Sequence, residues 1–152
     1  MNQPPAGMTL LELLVACSIL MLLATMALPM ARMVIREHKE SELRYDLREM
    51  RDAIDRYKDA ADKNLIQTQA GSENYPADLD TLVRGVPMTQ AKDRKLRFLR
   101  AIPVDPMTGN KDWGLRSVQD DPDATEWGGQ DVFDVYSKST GTALDGTKYS
   151  DW

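Results

Sequence analysis

The chain has 152 residues, enough for one modest domain with an appendage, and carries 19 basic against 24 acidic side chains, a formal charge of −5. That acidic balance argues against a nucleic-acid partner, which calls for a basic excess. With a single cysteine, Cys17, and a single histidine, His38, an intrachain disulfide is impossible, and a Cys/His zinc site or a Cys–His nucleophile pair has no partners to draw on.

The mean hydropathy of −0.46 is that of a water-soluble chain, so the opening run "AGMTLLELLVACSILMLLATMALP" (6–29) is a local exception. From Leu10 to Ile35 the ionisable side chains are Glu12, Cys17 and Arg32 alone. As a helix, Leu13–Ala31 would extend about 28 Å at 1.5 Å per residue, close to the ~30 Å hydrocarbon thickness of a bilayer. A core helix of a soluble domain is seldom apolar all round over such a length. A cleaved secretory signal would need a basic leader, a shorter apolar core and a small-x-small site after it, whereas the leader "MNQPPAG" has no Lys or Arg. The run is therefore read as membrane-spanning. Basic Arg32, Arg36 and Lys39 follow it mixed with Glu37 and Glu40, so the positive-inside rule gives little guidance on orientation.

Helical character continues past the apolar run. Leu43, Leu47, Met50, Ile54, Tyr57 and Ala61 recur at steps of four and three, one apolar stripe. Nine basic and nine acidic residues lie between Arg32 and Lys63, many four apart, such as Glu40–Arg44 and Asp52–Arg56. The pattern predicts one helix from about Thr9 to Lys63, roughly 80 Å long, with a kink at Pro29, which removes a backbone donor and crowds the carbonyl of Thr25.

Beyond Asn64 the texture becomes that of a folded head. "SENYPADLDTLV" reads as a turn and a short helix over 76–83, with a second short helix predicted over 91–99. "IPVDPMTGNKDW" is a connector punctuated by Pro and Gly. Strands are predicted at 113–118 and at 131–137, where "DVFDVYS" alternates. The tail "STGTALDGTKYSDW" carries turn signals at Thr140-Gly141 and Asp145-Gly146. The fold class is thus α+β, a long N-terminal helix on a small head with short helices and an antiparallel sheet. Residues 84–100 hold six basic and one acidic side chain and 105–152 hold ten acidic and four basic, either an ordinary solvated surface or complementary patches between copies.

"G-MTLLELLVACSIL" resembles the class III signal of type IV pilin-like proteins: a glycine, a cleavage point, a hydrophobic first residue, and Glu at the fifth position. With Met8 first, Glu12 is fifth and Pro29 twenty-second, in register with that family. "YPADLDTLV", "LRFLRAIPVDPMTGNKDWGL" and "DVYSKSTGTALDGTKYSDW" are similar in order and spacing to the major pseudopilins of type II secretion. The resemblance implies a leader at 1–7, a transmembrane and filament-core helix half at 8–35, an amphipathic half at 36–63 and a periplasmic head at 64–152. It implies cleavage at Gly7 and N-methylation of Met8 by a prepilin peptidase, polymerisation of the inner-membrane protein into a filament with itself and with other pseudopilins and inner-membrane secretion components, and export of folded cargo. Under it, Glu12 would pair with the Met8 amine of a neighbour and fix subunit register, because an unpaired carboxylate in lipid is costly.

The same resemblance implies calcium in a C-terminal loop. Where that loop has an early Asp, this chain has Lys138-Ser139-Thr140-Gly141, leaving Asp145 and Asp151 as candidate ligands, short of the 6–8 oxygens calcium takes; Asp145-Gly146 as a plain turn is the other reading. Alternatives at the level of function are a type IV pilin, a minor pseudopilin, or a signal-anchored periplasmic binding module. An enzyme built on Asp78/Asp80 or Asp120-Asp121 is disfavoured, since nothing else catalytic gathers around those acids.

Overall fold

The computed structural model describes residues 7–69, 71–91 and 93–152, the side chains of 26–29 excepted. The chain forms two compact units, Met1–His38 and Lys39–Trp152, and its elements combine a long helix with a small α+β head.

The long helix α1 runs Leu10–Asp62, within a residue or two of its predicted bounds. In the first unit its described leucines, isoleucines and methionines stand exposed. Its most apolar 18-residue window has a mean hydropathy of 2.3 and is 0% buried, so the helix is long and apolar enough to cross a membrane as a single-pass anchor. The hydroxyls that interrupt it are satisfied within the helix: Ser18 donates to the Leu14 carbonyl at 2.8 Å and Thr25 to that of Leu22 at 2.8 Å. The bend expected at Pro29 falls on side chains 26–29, outside the described residues.

In the second unit the predicted stripe becomes the core. Leu43, Leu47, Met50, Ile54, Tyr57 and Ala61 are all buried, joined by Ala53 and Ala60. They pack in one cluster with Leu82, Phe98, Leu99, Trp113, Val132, Val135 and Tyr149. The helix stops where Asn64 takes a left-handed φ of 53°. Leu65 N–H then reaches back to the Ala60 carbonyl and Asn64 N–H to that of Ala61, both at 2.9 Å, the paired bonds of a Schellman stop.

Helix α2 spans Leu79–Arg84. It begins later than predicted because Asp78 is its cap: one carboxylate oxygen accepts from Thr81 N–H at 2.6 Å and from its hydroxyl at 2.7 Å. Gly85 ends it at φ 77°, where a Cβ would lie 2.8 Å from the Leu96 carbonyl oxygen, so no other residue fits there. Strand β1 (Val86–Pro87) pairs antiparallel with β2 (Lys95–Leu96).

That pairing corrects one expectation, the helix over 91–99. Phe98 and Leu99 both donate backbone N–H to the Leu82 carbonyl, at 3.0 and 3.1 Å, and both side chains enter the core. So short a helix is marginal in isolation, and strand pairing with simultaneous burial of two adjacent apolar residues overrides the helical propensity of its Lys and Arg. Strands β3 (Gly114–Arg116) and β4 (Asp134–Tyr136) form a second antiparallel pair inside both predicted ranges. Among its described residues the head thus holds two separate two-stranded ladders. A Cβ on Gly114 would run into the Tyr136 ring, which explains the glycine opposite Tyr136. The tail closes with a Thr142–Lys148 bridge and a 3-10 turn, Tyr149–Asp151.

Candidate processing and assembly site

Gly7, Met8, Thr9 and Glu12 lie together at the entrance to α1. Gly7 is exposed, and a Cβ added to it would meet nothing within 4 Å, so its glycine answers no packing need among the described residues. Met8 is 66% exposed. The first helical bond runs from Leu13 N–H to the Thr9 carbonyl at 3.1 Å. Thr9 Oγ1 accepts from Glu12 N–H at 3.3 Å, one half of the reciprocal Thr-x-x-Glu cap. Sequence reasoning passed over Thr9; the Thr9-x-x-Glu12 spacing was the signal that could have found it.

Glu12 is exposed in the first turn of α1, where the positive end of the helix dipole favours a carboxylate. Cleavage between Gly7 and Met8 would put an ammonium four residues before it, one helical turn away. Those two charges could meet within one chain or between neighbouring chains packed side by side.

Three of the other acids singled out in the sequence are held in local contacts, Asp78 as the cap of α2. Asp80 pairs with Arg84 at 3.1 Å. Asp120 accepts backbone N–H from Ser117 at 2.7 Å and Gly128 at 3.1 Å, and these bonds hold its carboxyl below the usual range. A residue that sequence reasoning passed over is Asp105, fully buried. It accepts from Met107 N–H at 2.7 Å and from the Ser137 hydroxyl at 2.6 Å, tying the "VDPMTGN" connector to the end of β4. Its signal was an Asp-Pro turn start in an apolar context.

Asp145 and Asp151 do not form a donor set that fits calcium. Asp145 Oδ1 accepts from Thr147 N–H at 2.9 Å and its hydroxyl at 2.6 Å, and Oδ2 pairs with Arg44 at 3.2 Å. The Thr147 bonds first, and Arg44 after them, keep its carboxyl below the ordinary range. Asp151 is exposed and accepts from the Ser150 hydroxyl at 3.1 Å. Lys138 Nζ lies 2.6 Å from Asp112, and Ser137, Ser139, Thr140, Lys148 and Ser150 line the adjoining cavity, of about 370 Å³. Among the described residues no three His, Cys, Asp or Glu side chains group so as to hold a metal ion.

No curated protein and no solved structure matches the chain. A family model described as the prokaryotic N-terminal methylation motif matches residues 5–28. That stretch contains the Gly7–Met8 junction, Thr9, Glu12 and most of the apolar length. The chain therefore carries, at the entrance to its long apolar helix, the N-terminal methylation motif characteristic of type IV pilin-like proteins, pseudopilins among them.

Proposed function

We propose that the protein is a structural subunit of a type II secretion pseudopilus, without catalysis of its own, which polymerises through the first half of α1. The observation that carries this reading is the methylation motif at 5–28, set on the first half of α1, where the described apolar side chains stand exposed. An all-round apolar helix needs lipid before assembly and other helices after it. In this reading a prepilin peptidase removes 1–7 and methylates the Met8 amine, and the helix half 8–35 is held first by the inner membrane. The half 36–63 belongs to the head, which extends to 152 and faces the periplasm. In the filament, the Met8 ammonium of an incoming subunit meets Glu12 of its neighbour. A paired buried charge is tolerated where an isolated one is not, so the pair selects one axial register.

A pseudopilus, in preference to a surface pilus, is supported by "LRFLRAIPVDPMTGNKDWGL" and "DVYSKSTGTALDGTKYSDW", which are similar to major pseudopilins, and by a tail that closes without a cysteine pair. Deleting the gene tests this. The expected result is loss of secreted folded proteins from the medium with their accumulation in the periplasm. Unimpaired secretion with loss of a surface fibre would assign the protein to a pilus instead.

A further inference from the structure

The tail from 139 to 152 is fastened to α1 by three side chains spaced four and seven residues apart, Glu40, Arg44 and Arg51, which places them in one row beside the apolar stripe. Glu40, 7% exposed, accepts from Leu144 N–H and from the Tyr149 hydroxyl, both at 2.9 Å. Arg44 pairs with Asp145 at 3.2 Å and lies 4.0 Å over the Trp152 ring. Arg51 gathers three residues at one guanidinium: the Asp134 carboxylate at 2.6 Å, the Val135 carbonyl at 3.0 Å and the Trp152 main-chain oxygen at 2.6 Å.

Convergence of a carboxylate and two main-chain oxygens on one centre is what a hard cation such as calcium recruits. Here the centre is already a cation, with a planar fork of donors matched to several acceptors. Asp145, the carboxylate best placed to ligate a metal, is committed to Arg44 and Thr147. Lys138 and Lys148 add positive charge to the cavity beside the tail, and a divalent ion would be repelled there.

We propose that Arg44 and Arg51, aided by Glu40, take the place of a metal ion in this protein, so that the tail folds and stays closed without calcium. The inference concerns the head alone and stands whether or not the chain polymerises into a pseudopilus.

The test is hydrogen exchange by mass spectrometry on the full chain in detergent micelles, comparing excess calcium with excess chelator. The expected result is equal protection of 139–152 in both. Arg51→Met and Arg44→Met should each speed exchange of that segment about tenfold or more, in line with the loss of charge-assisted hydrogen bonds. Protection over 43–61 should persist, which shows that the rest of the head is folded. Arg51→Lys, which keeps the charge and loses the fork, should fall between. Chelator-induced opening of the tail in the unmodified chain would overturn the proposal, as would unchanged protection in both Met variants. If a Met variant fails to fold, the calcium comparison on the unmodified chain decides alone.

Discussion

Tyr149 donates its phenolic O–H to Glu40 Oε1 at 2.9 Å, across 109 residues of sequence, with both side chains buried. The bond joins the last turn of the chain to the helix that begins the head. A buried acceptor that loses a donor pays for its lost solvation, so Tyr149→Phe should destabilise the head by about 1–3 kcal/mol. Thermal unfolding of the full chain in detergent measures it; an unchanged midpoint would mean that this bond contributes nothing.

Ile54 sits at the centre of the apolar stripe, fully buried among residues from both halves of the head. Ile54→Ala removes three carbons from a packed site and should cost about 2–5 kcal/mol, depending on how far the neighbours collapse. Denaturant unfolding gives the value directly. A cost below the low end would contradict the packing of α1 against the head.

Asp46 gives the head a pH dependence. Burial first, and then the carboxylates of Glu42, Glu49 and Asp105, raise its carboxyl from 3.8 to about 6. Because the folded value lies above the unfolded one, its contribution is fully present below about 3.8 and is lost as pH rises through about 6. Asp46→Asn resembles the neutral form at every pH. The variant should therefore melt above the parent at neutral pH, with the gap closing as the medium is acidified past about 6. A gap independent of pH would assign the effect to something other than ionisation.

Much of this was legible in the sequence because it was written in periodicity. An all-round apolar run followed by a 4-3-4-3 stripe marks two environments of one helix, and alternation at "DVFDVYS" marks a strand. The methylation motif at 5–28 was legible because its spacing is short and local; the roles proposed for Gly7, Met8 and Glu12 within it await the tests below. Residues 91–99 misled because their propensity is helical, while the decisive contacts, Phe98 and Leu99 on the Leu82 carbonyl, come from a distant segment. The clamp of Glu40, Arg44 and Arg51 was hidden for the same reason. On the helix those residues look like solvated charges, and only the returning tail makes them structural.

The proposed processing rests on the entrance to α1. A glycine with nothing near its Cβ position among the described residues leaves the backbone open to a peptidase, so Gly7→Leu should leave the precursor uncut in the membrane. N-terminal mass of the native protein should correspond to N-methylated Met8. A native terminus at Met1 or Asn2 would rule out the maturation step.

In the proposed filament, Glu12 is where membrane chemistry and assembly meet. Glu12→Ala should insert more readily, since a carboxylate leaves an apolar segment, and should be cleaved with its head folded. What it should lose is docking, because the incoming Met8 ammonium would meet no buried partner, a penalty of about 3–5 kcal/mol. The direct measurement is sheared-filament mass from cells making Glu12→Ala alone and mixed with the parent chain. A register role gives processed monomer in the membrane, almost no filament from the variant alone, and mixed filaments that shorten as the variant fraction rises. Filaments of parental yield from Glu12→Ala alone would contradict it.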